Sequence, residues 1–319
     1  MITINNVFLG LKNSNYIKIL LTLLIFYWLL FYNIFPDHGN LRSEAYLDYE
    51  PQVKALMNNG SFLDAKGTFL DSYPPIFPIF IYLSKQLSAF INFDLKYINF
   101  FTNAILILFT MYLSYSICKL YFSKQSSILI SLLIGAHPHL TYSLIKPISV
   151  TLFLPFFLIS LFHFIKIFKS LNEEKTIGFL HPIICGIFLG LSALVRPTPV
   201  FLPIVFFFIF SYFSTKNVKI KAKLIYPSII FLSFIFTLLP WEYLIYKYNN
   251  KFVLISSIGH NSLRWSFKIN YIDYESKVQI SDDLSEFNNR GIEKVHSSSD
   301  YFSFLFQELK TNPFTVAAV

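Results

Sequence analysis

Long apolar runs constrain this 319-residue chain more than any other feature. A helix needs about 20 apolar residues to cross the hydrocarbon core of a bilayer. Hydrophobic residues make up 54% of the chain and charged residues only 14%, a balance far from that of soluble domains. Hydropathy predicts spans at 17–35, 98–118, 126–145, 149–168, 181–196, 198–213 and 224–239. The sequence therefore predicts an all-α polytopic membrane protein with about seven transmembrane helices.

The apolar segment 76–91 decides the topology. If it does not cross and the N-terminus is inside, the inside segments hold eleven lysines and only two acids, Glu173 and Glu174. If it crossed, every later basic loop would be translocated, against the bias that keeps Lys and Arg in the cytoplasm. The segment is also interrupted by Pro78 and carries Lys85. We therefore expect a helix that lies in the membrane interface, a cytoplasmic N-terminus, and most acidic residues outside.

Charge and cysteine usage exclude several classes of function. The net charge of +8 comes from basic residues scattered over short loops, so a nucleic-acid-binding surface is not expected. Cys118 and Cys185 lack metal-ligand spacing and fall on predicted helices, where they are best interpreted as small apolar residues. No residue pattern predicts a cofactor, although a requirement for a divalent metal stays open.

Composition changes once along the chain. Residues 1–239 form the predicted transmembrane domain, with 36–97 as its first external loop, and 240–319 form a polar extracytoplasmic segment. The loop is rich in acids, and each acid could simply solvate the surface. The six carboxylates that precede Tyr73 in this loop are Asp37, Glu44, Asp48, Glu50, Asp64 and Asp71.

A series of short motifs covers nearly the whole chain in a particular order. The motifs are Glu44-Ala45-Tyr46-Leu47-Asp48-Tyr49, Asn59-Gly60-Ser61-Phe62, Tyr73-Pro74-Pro75-Ile76-Phe77-Pro78, His137-Pro138-His139-Leu140-Thr141-Tyr142, Ser149-Val150-Thr151-Leu152-Phe153, Gly190-Leu191-Ser192-Ala193-Leu194-Val195-Arg196-Pro197, Pro240-Trp241 and Phe252-Val253-Leu254-Ile255-Ser256-Ser257. In order and spacing the chain resembles the GT-C superfamily of polytopic glycosyltransferases, which includes protein O-mannosyltransferases and lipid A aminoarabinose transferases.

The resemblance implies a function. It implies transfer of a sugar from a polyprenyl-phosphate donor to a glycan, lipid or protein acceptor at the extracytoplasmic face of a bacterial inner membrane, among membrane lipids. It also implies a catalytic base in the first external loop, where Asp48, then Glu44 and then Asp37 are the candidates. A carboxylate there can take the acceptor proton. Asp48 and Glu44 are four residues apart, so they could equally be charges at a helix N-terminus.

The donor phosphate requires positive charge beside the membrane. Arg196 closes a predicted span at its outer end, where an arginine usually lines a cavity or pairs with a functional group, or else snorkels to the interface. Its guanidinium can bind phosphate through two parallel hydrogen bonds. Lys146, at the outer end of another span, is the second candidate, and His260 and Arg264 in the polar tail are further ones.

The chain also departs from the family pattern. Relatives often carry an acid at the position of Val150, a basic residue at that of Tyr73, and an Arg-Asn pair at that of Leu244 and Ile245. They also continue with further spans, so the resemblance implies a C-terminally truncated member. Two alternatives therefore stay open: an inactive relative or fragment that serves as a scaffold, and a transporter or flippase, which should show paired repeats and ionisable groups near the midplane.

The predicted topology can be tested by labelling. Cysteines introduced at Asp48, Asp71 and Ser285 should all react with an impermeant thiol reagent from the same side of the membrane, because segment 76–91 does not cross. Labelling of the Asp71 and Ser285 positions from opposite faces would contradict the topology.

Overall fold

The computed structural model describes residues 14–34, 49–173, 178–213, 220–253 and 255–256. Within these ranges the chain is helical and contains no strand, as the sequence predicts. The helices are α1 (Ser14–Ile34), α2 (Glu50–Asn59), α3 (Ile76–Ile91), α4 (Leu95–Cys118), α5 (Lys124–Gly135), α6 (Pro138–Tyr142), α7 (Ser149–Asn172), α8 (Leu180–Ala193), α9 (Leu202–Phe213) and α10 (Ile220–Asn249).

Three of these helices contain segments long and apolar enough to cross a membrane. In the described part of the chain they are Leu95–Cys118, Ser149–Asn172 and Lys223–Asn249, and the other apolar helices are shorter. One of the shorter helices is α3, which has the bounds predicted for the interfacial segment. The chain divides into two compact units, and each is described by itself: the first holds 1–68 and 74–240, and the second holds 69–73 and the chain from 241 onward.

The predicted span 126–145 is not one continuous helix. The chain leaves the helix between α5 and α6, where His137 has φ −63° and ψ 126°. A residue that precedes proline is pushed out of the helical region, and Pro138 follows. His137 also caps the short α6, since its Nδ1 accepts the His139 backbone N–H at 3.3 Å. The histidine therefore satisfies a neighbouring backbone group.

The helix that contains the last predicted span extends beyond that span. The span is predicted to end at 239, whereas α10 runs through Pro227 and Pro240 to Asn249. Proline inside a helix costs about 3 kcal/mol or more. The apolar face nevertheless continues past Pro240, because Trp241 and Ile245 are both buried.

A hydrophobic core joins the helices at the start of the first unit. Its buried members are Leu24, Trp28, Ile107, Met111, Leu140 and Leu144. Trp28 ties α1 to the end of α5, since its Nε1–H donates to the Gly135 carbonyl at 3.0 Å. Val150, in the first turn of α7, packs against this core. The core therefore fixes the position of the start of α7.

Two glycines of α8 allow close contact with α10 in the first unit. A methyl group at Gly186 would overlap the Ile230 carbonyl oxygen, and one at Gly190 would lie 2.6 Å from Thr237 Cβ. The two glycines are four residues apart and so occupy the same face of α8. This is the small-residue pattern that lets membrane helices approach at backbone distance.

Gly186→Ala should therefore lower the thermal stability of the protein. Alanine gains about 1 kcal/mol of helix propensity over glycine, but overpacking costs about 1–3 kcal/mol, and here the neighbouring atom belongs to backbone that cannot turn aside. Thermal unfolding followed by tryptophan fluorescence in detergent measures the effect. Gly178→Ala is the control, because a methyl group there meets no atom within 4 Å. A Gly186→Ala protein as stable as the wild type would contradict the close approach.

Candidate functional site

The packing of α7 against α8 provides a register for locating the predicted phosphate ligands. Near the middle of α7, the Phe156 and Phe188 rings lie 6.0 Å apart. Seven residues later on α7, His163 Nδ1 lies 2.7 Å from His181 Nδ1, and His181 is seven residues earlier on α8. Seven residues make close to two helical turns, so the two helices are antiparallel and pair at regular levels.

The same register places Lys146 and Arg196 at one end of this helix pair. Seven residues before Phe156 on α7 is Ser149, and seven residues after Phe188 on α8 is Val195. The register therefore puts Ser149 level with Val195. Arg196 directly follows Val195, and Lys146 lies three residues before Ser149, in the short stretch that leads into α7. The two cations predicted to bind phosphate therefore lie at the same end of α7 and α8.

Lys146 is buried at this end. The residue is only 3% exposed, and its backbone N–H donates to the Tyr142 carbonyl at 3.1 Å. Ser149 and Thr151, in the first turn of α7, are also almost completely buried. Thr151 Oγ1 has no hydrogen-bond partner among the residues that the structure describes. A lysine is rarely buried unless its charge is compensated, so a cation at this position requires compensation by its surroundings or by a ligand.

Arg196 is partly exposed and follows the end of α8. Its backbone N–H donates to the Ser192 carbonyl at 2.9 Å. In the described ranges, none of the ion pairs involves its guanidinium. The backbone of Arg196 is therefore fixed, while its guanidinium forms no ion pair with a carboxylate of the described residues.

Two helix N-termini lie at the same end. The first N–H of α3, from Ile76, donates to the Leu194 carbonyl at 3.1 Å, two residues before Arg196. α7 begins at Ser149, and no side-chain hydrogen bond caps either helix within the described residues. Helix N-termini carry partial positive charge and bind anions. Lys146, Arg196 and two helix N-termini together make this end suitable for a phosphate.

The start of α3 also contacts an earlier part of the predicted external loop. The ring of Tyr49 packs edge-on against Phe77, with centroids 4.9 Å apart, and both side chains are buried. Tyr49 is the sequence neighbour of Asp48. The predicted bases Asp37, Glu44 and Asp48, and the predicted tail ligands His260 and Arg264, lie outside the described residues.

Each of the other loop acids has a structural partner. Glu50 begins α2 and pairs with Lys54, at 3.0 Å, on an exposed surface. Asp64 Oδ1 accepts the backbone N–H groups of Lys66 and Thr68, which closes a turn. In the second unit, Asp71 Oδ2 accepts from Asn249 Nδ2 at 3.0 Å, while Phe69 stacks on Tyr248. These three acids therefore support local structure.

Val150 has a structural role in the first unit. Its side chain packs against the core that contains Leu140 and Leu144.

The two cysteines, Cys118 and Cys185, are free thiols. Cys185 is fully buried, beside Ser160. Within the described ranges no group of three potential metal-ligating side chains is found.

One acid in the second unit was not predicted from the sequence as a candidate site residue. Glu242 is 9% exposed, and its Oε1 accepts the Ile255 N–H at 2.6 Å. The preceding Trp241 donates its Nε1–H to the Ile255 carbonyl at 2.7 Å. A sequence signal was present, because an acid directly after Pro240-Trp241 in an apolar helix is a functional candidate.

Comparisons with known proteins give no relative for this chain: no family model matches it, and neither do any curated proteins or solved structures.

Proposed function

We propose that the protein is a membrane glycosyltransferase that transfers a sugar from a polyprenyl-phosphate donor to an acceptor at the extracytoplasmic face. The observation that carries the proposal is the common location of Lys146 and Arg196 at the end of α7 and α8 where α3 and α7 begin. A bundle of about seven spans with an interfacial α3, in a bacterial inner membrane, would put this end at the outer surface.

The positive groups would act on the donor phosphate. Arg196 offers a planar pair of donors that matches two phosphate oxygens. Lys146 offers a buried point charge, which acts more strongly where water is excluded. The helix N-termini add preorganised partial charge that costs no reorganisation as the leaving group develops negative charge. Together these groups would stabilise the departing polyprenyl phosphate.

A loop carboxylate would activate the acceptor. Asp48 is the first candidate, since its neighbour Tyr49 packs on the first turn of α3; Glu44 and then Asp37 follow. The carboxylate takes the proton of an acceptor hydroxyl, and the freed oxygen bonds to the anomeric carbon. The bond from that carbon to the phosphate oxygen then breaks, with inversion at the sugar. The polyprenyl phosphate carries away the electron pair.

One observation favours a second candidate, a GT-C-like protein without catalytic activity that binds a lipid phosphate or a partner. Val150 is part of an apolar contact with the core, so the position does not supply the acid that relatives often carry there. Purified protein that binds a polyprenyl-phosphate sugar and never releases the sugar would support this candidate over the enzyme.

Substitution of Arg196 tests the phosphate site. Arg196→Lys should weaken donor use by about tenfold, because lysine keeps the charge but loses the planar pair of donors. Arg196→Ala should cost roughly 2–4 kcal/mol, the range for loss of one preorganised donor to a developing anion. The measurement is sugar release from a polyprenyl-phosphate donor by protein in lipid nanodiscs. Lys119→Ala is the control, because Lys119 directly follows the end of α4. Normal binding and turnover by Arg196→Ala would show that the residue only snorkels.

Substitution of the loop acids tests the base. Asp48→Asn or Glu44→Gln should lower turnover by about 10²-fold, or roughly 2.7 kcal/mol of barrier, while donor binding stays close to that of the wild type. Glu50→Gln is the matched control, since Glu50 pairs with Lys54 on the surface. If both single variants turn over at the wild-type rate, the assignment fails and Asp37→Asn becomes the next variant.

A further inference from the structure

Two buried polar side-chain atoms of the second unit have no hydrogen-bond partner in the described part of the chain. Glu242 Oε2 and Ser256 Oγ are both enclosed, and neither has a hydrogen-bond partner among the described residues. Glu242 is more than nine-tenths buried, and Ser256 is 5% exposed. No ion pair within the described ranges includes Glu242. A buried carboxylate normally requires a positive partner or several hydrogen bonds, and this one has a single backbone donor.

The local backbone brings these two residues close together. Ile255 has φ of 67°, a left-handed conformation that is rare for a β-branched residue. Both of its polar backbone groups are held, the N–H by Glu242 and the carbonyl by Trp241. Ser256 follows Ile255 directly, so it is the next residue after the one whose N–H the carboxylate binds. Strain of this kind persists only where its surroundings impose it, and it is concentrated at functional and ligand sites.

We propose that Glu242 and Ser256 form a binding site for a small monovalent cation of the size and hardness of Na⁺. The available atoms are carboxylate and hydroxyl oxygens, which prefer hard cations. One carboxylate supplies one negative charge, which a monovalent ion balances, whereas divalent-ion sites generally gather more carboxylates. Both atoms are enclosed, which favours a small ion over a sugar or a peptide.

The position on α10 also favours a cation. Glu242 lies in the last two turns of the helix, which ends at Asn249. The carbonyls of a helix C-terminus carry partial negative charge, and in membrane proteins such ends together with irregular backbone coordinate Na⁺. A bound ion would join the end of α10 to the chain at 255–256. This site is independent of the proposed glycosyl transfer, since it involves neither Lys146 nor Arg196.

The test compares salts on the purified full chain. Thermal unfolding of wild-type protein in detergent is measured in NaCl and in choline chloride at equal concentrations, together with equilibrium binding of ²²Na⁺. An ion that binds only the folded state raises the unfolding temperature. We expect saturable ²²Na⁺ binding and a rise of about 2 °C or more in NaCl. No sugar donor is used, so the result does not depend on the proposed enzyme activity.

Matched variants identify the site. Glu242→Gln keeps an oxygen for the Ile255 N–H but replaces the second oxygen with an NH₂ group, so the Na⁺ response should disappear. Glu173→Gln, whose wild-type residue pairs with Lys169 at the end of α7, should keep the response. Ser256→Ala should weaken ²²Na⁺ affinity by about tenfold for loss of a ligand, and it decides the question if Glu242→Gln does not fold.

Three results would overturn the proposal. Equal unfolding temperatures in the two salts, without ²²Na⁺ binding, would mean that a proton or a water molecule satisfies Glu242. An Na⁺ response retained in both Glu242→Gln and Ser256→Ala would place the ion elsewhere. Stabilisation by Ca²⁺ or Mg²⁺ in place of Na⁺ would exclude a monovalent site.

Discussion

The antiparallel packing of α7 against α8 is the contact on which the account of the first unit depends. Side chains seven residues apart meet at successive levels, from the histidine pair to the phenylalanine pair. Continuation of this register brings the start of α7 and the end of α8 to one level. Because Gly190 and Gly186 hold the opposite face of α8 close to α10, α8 has little freedom to slide along its neighbours. The position of Arg196 at the end of α8 is fixed accordingly.

Charge lies at helix ends where it adds to the helix dipole and does not compensate it. Lys146 and Arg196 lie near the starts of α3 and α7, so fixed cations and helix dipoles act in the same direction at the site proposed for phosphate. The other end of a helix, the C-terminus, carries partial negative charge. Glu242, near the end of α10 in the second unit, adds negative charge to a helix terminus that is already negative, and this combination is the basis for the proposed cation site.

Much of the fold could be predicted from the sequence, since the apolar runs that end at polar residues became α3, α7 and α8 with closely matching bounds. One predicted span is interrupted and one helix extends beyond its predicted span, both for local reasons. Pro138 forces His137 out of the helix, which hydropathy averages do not register. Pro240, by contrast, is tolerated because buried Trp241 and Ile245 extend the packed face. Proline therefore breaks one span and not another, and tertiary packing decides which.

The candidate site shows a similar division. Arg196 and Lys146 could be selected individually from their positions at span ends, but their common location required the helix register. Charge alone could not separate the structural acids from the functional candidates, because Asp64 and Asp71 are distinguished only by the turns and side chains they bind. Glu242 was missed because its role depends on a contact with Ile255, thirteen residues later, through a backbone conformation that no sequence pattern announces.

Cross-linking of α7 to α8 tests the central claim, the common location of Lys146 and Arg196, most directly. In a variant without native cysteines, cysteines at Ser149 and Val195 should form an intramolecular disulfide on mild oxidation, because level positions on packed helices bring Cα atoms within bridging range. Cysteines at Phe156 and Phe188 are the positive control, and the linked peptides are identified by mass spectrometry. A disulfide between positions 149 and 195 is the predicted result. Linkage of position 149 to a cysteine at His181, or no linkage while the control pair reacts fully, would contradict the register and separate the two cations.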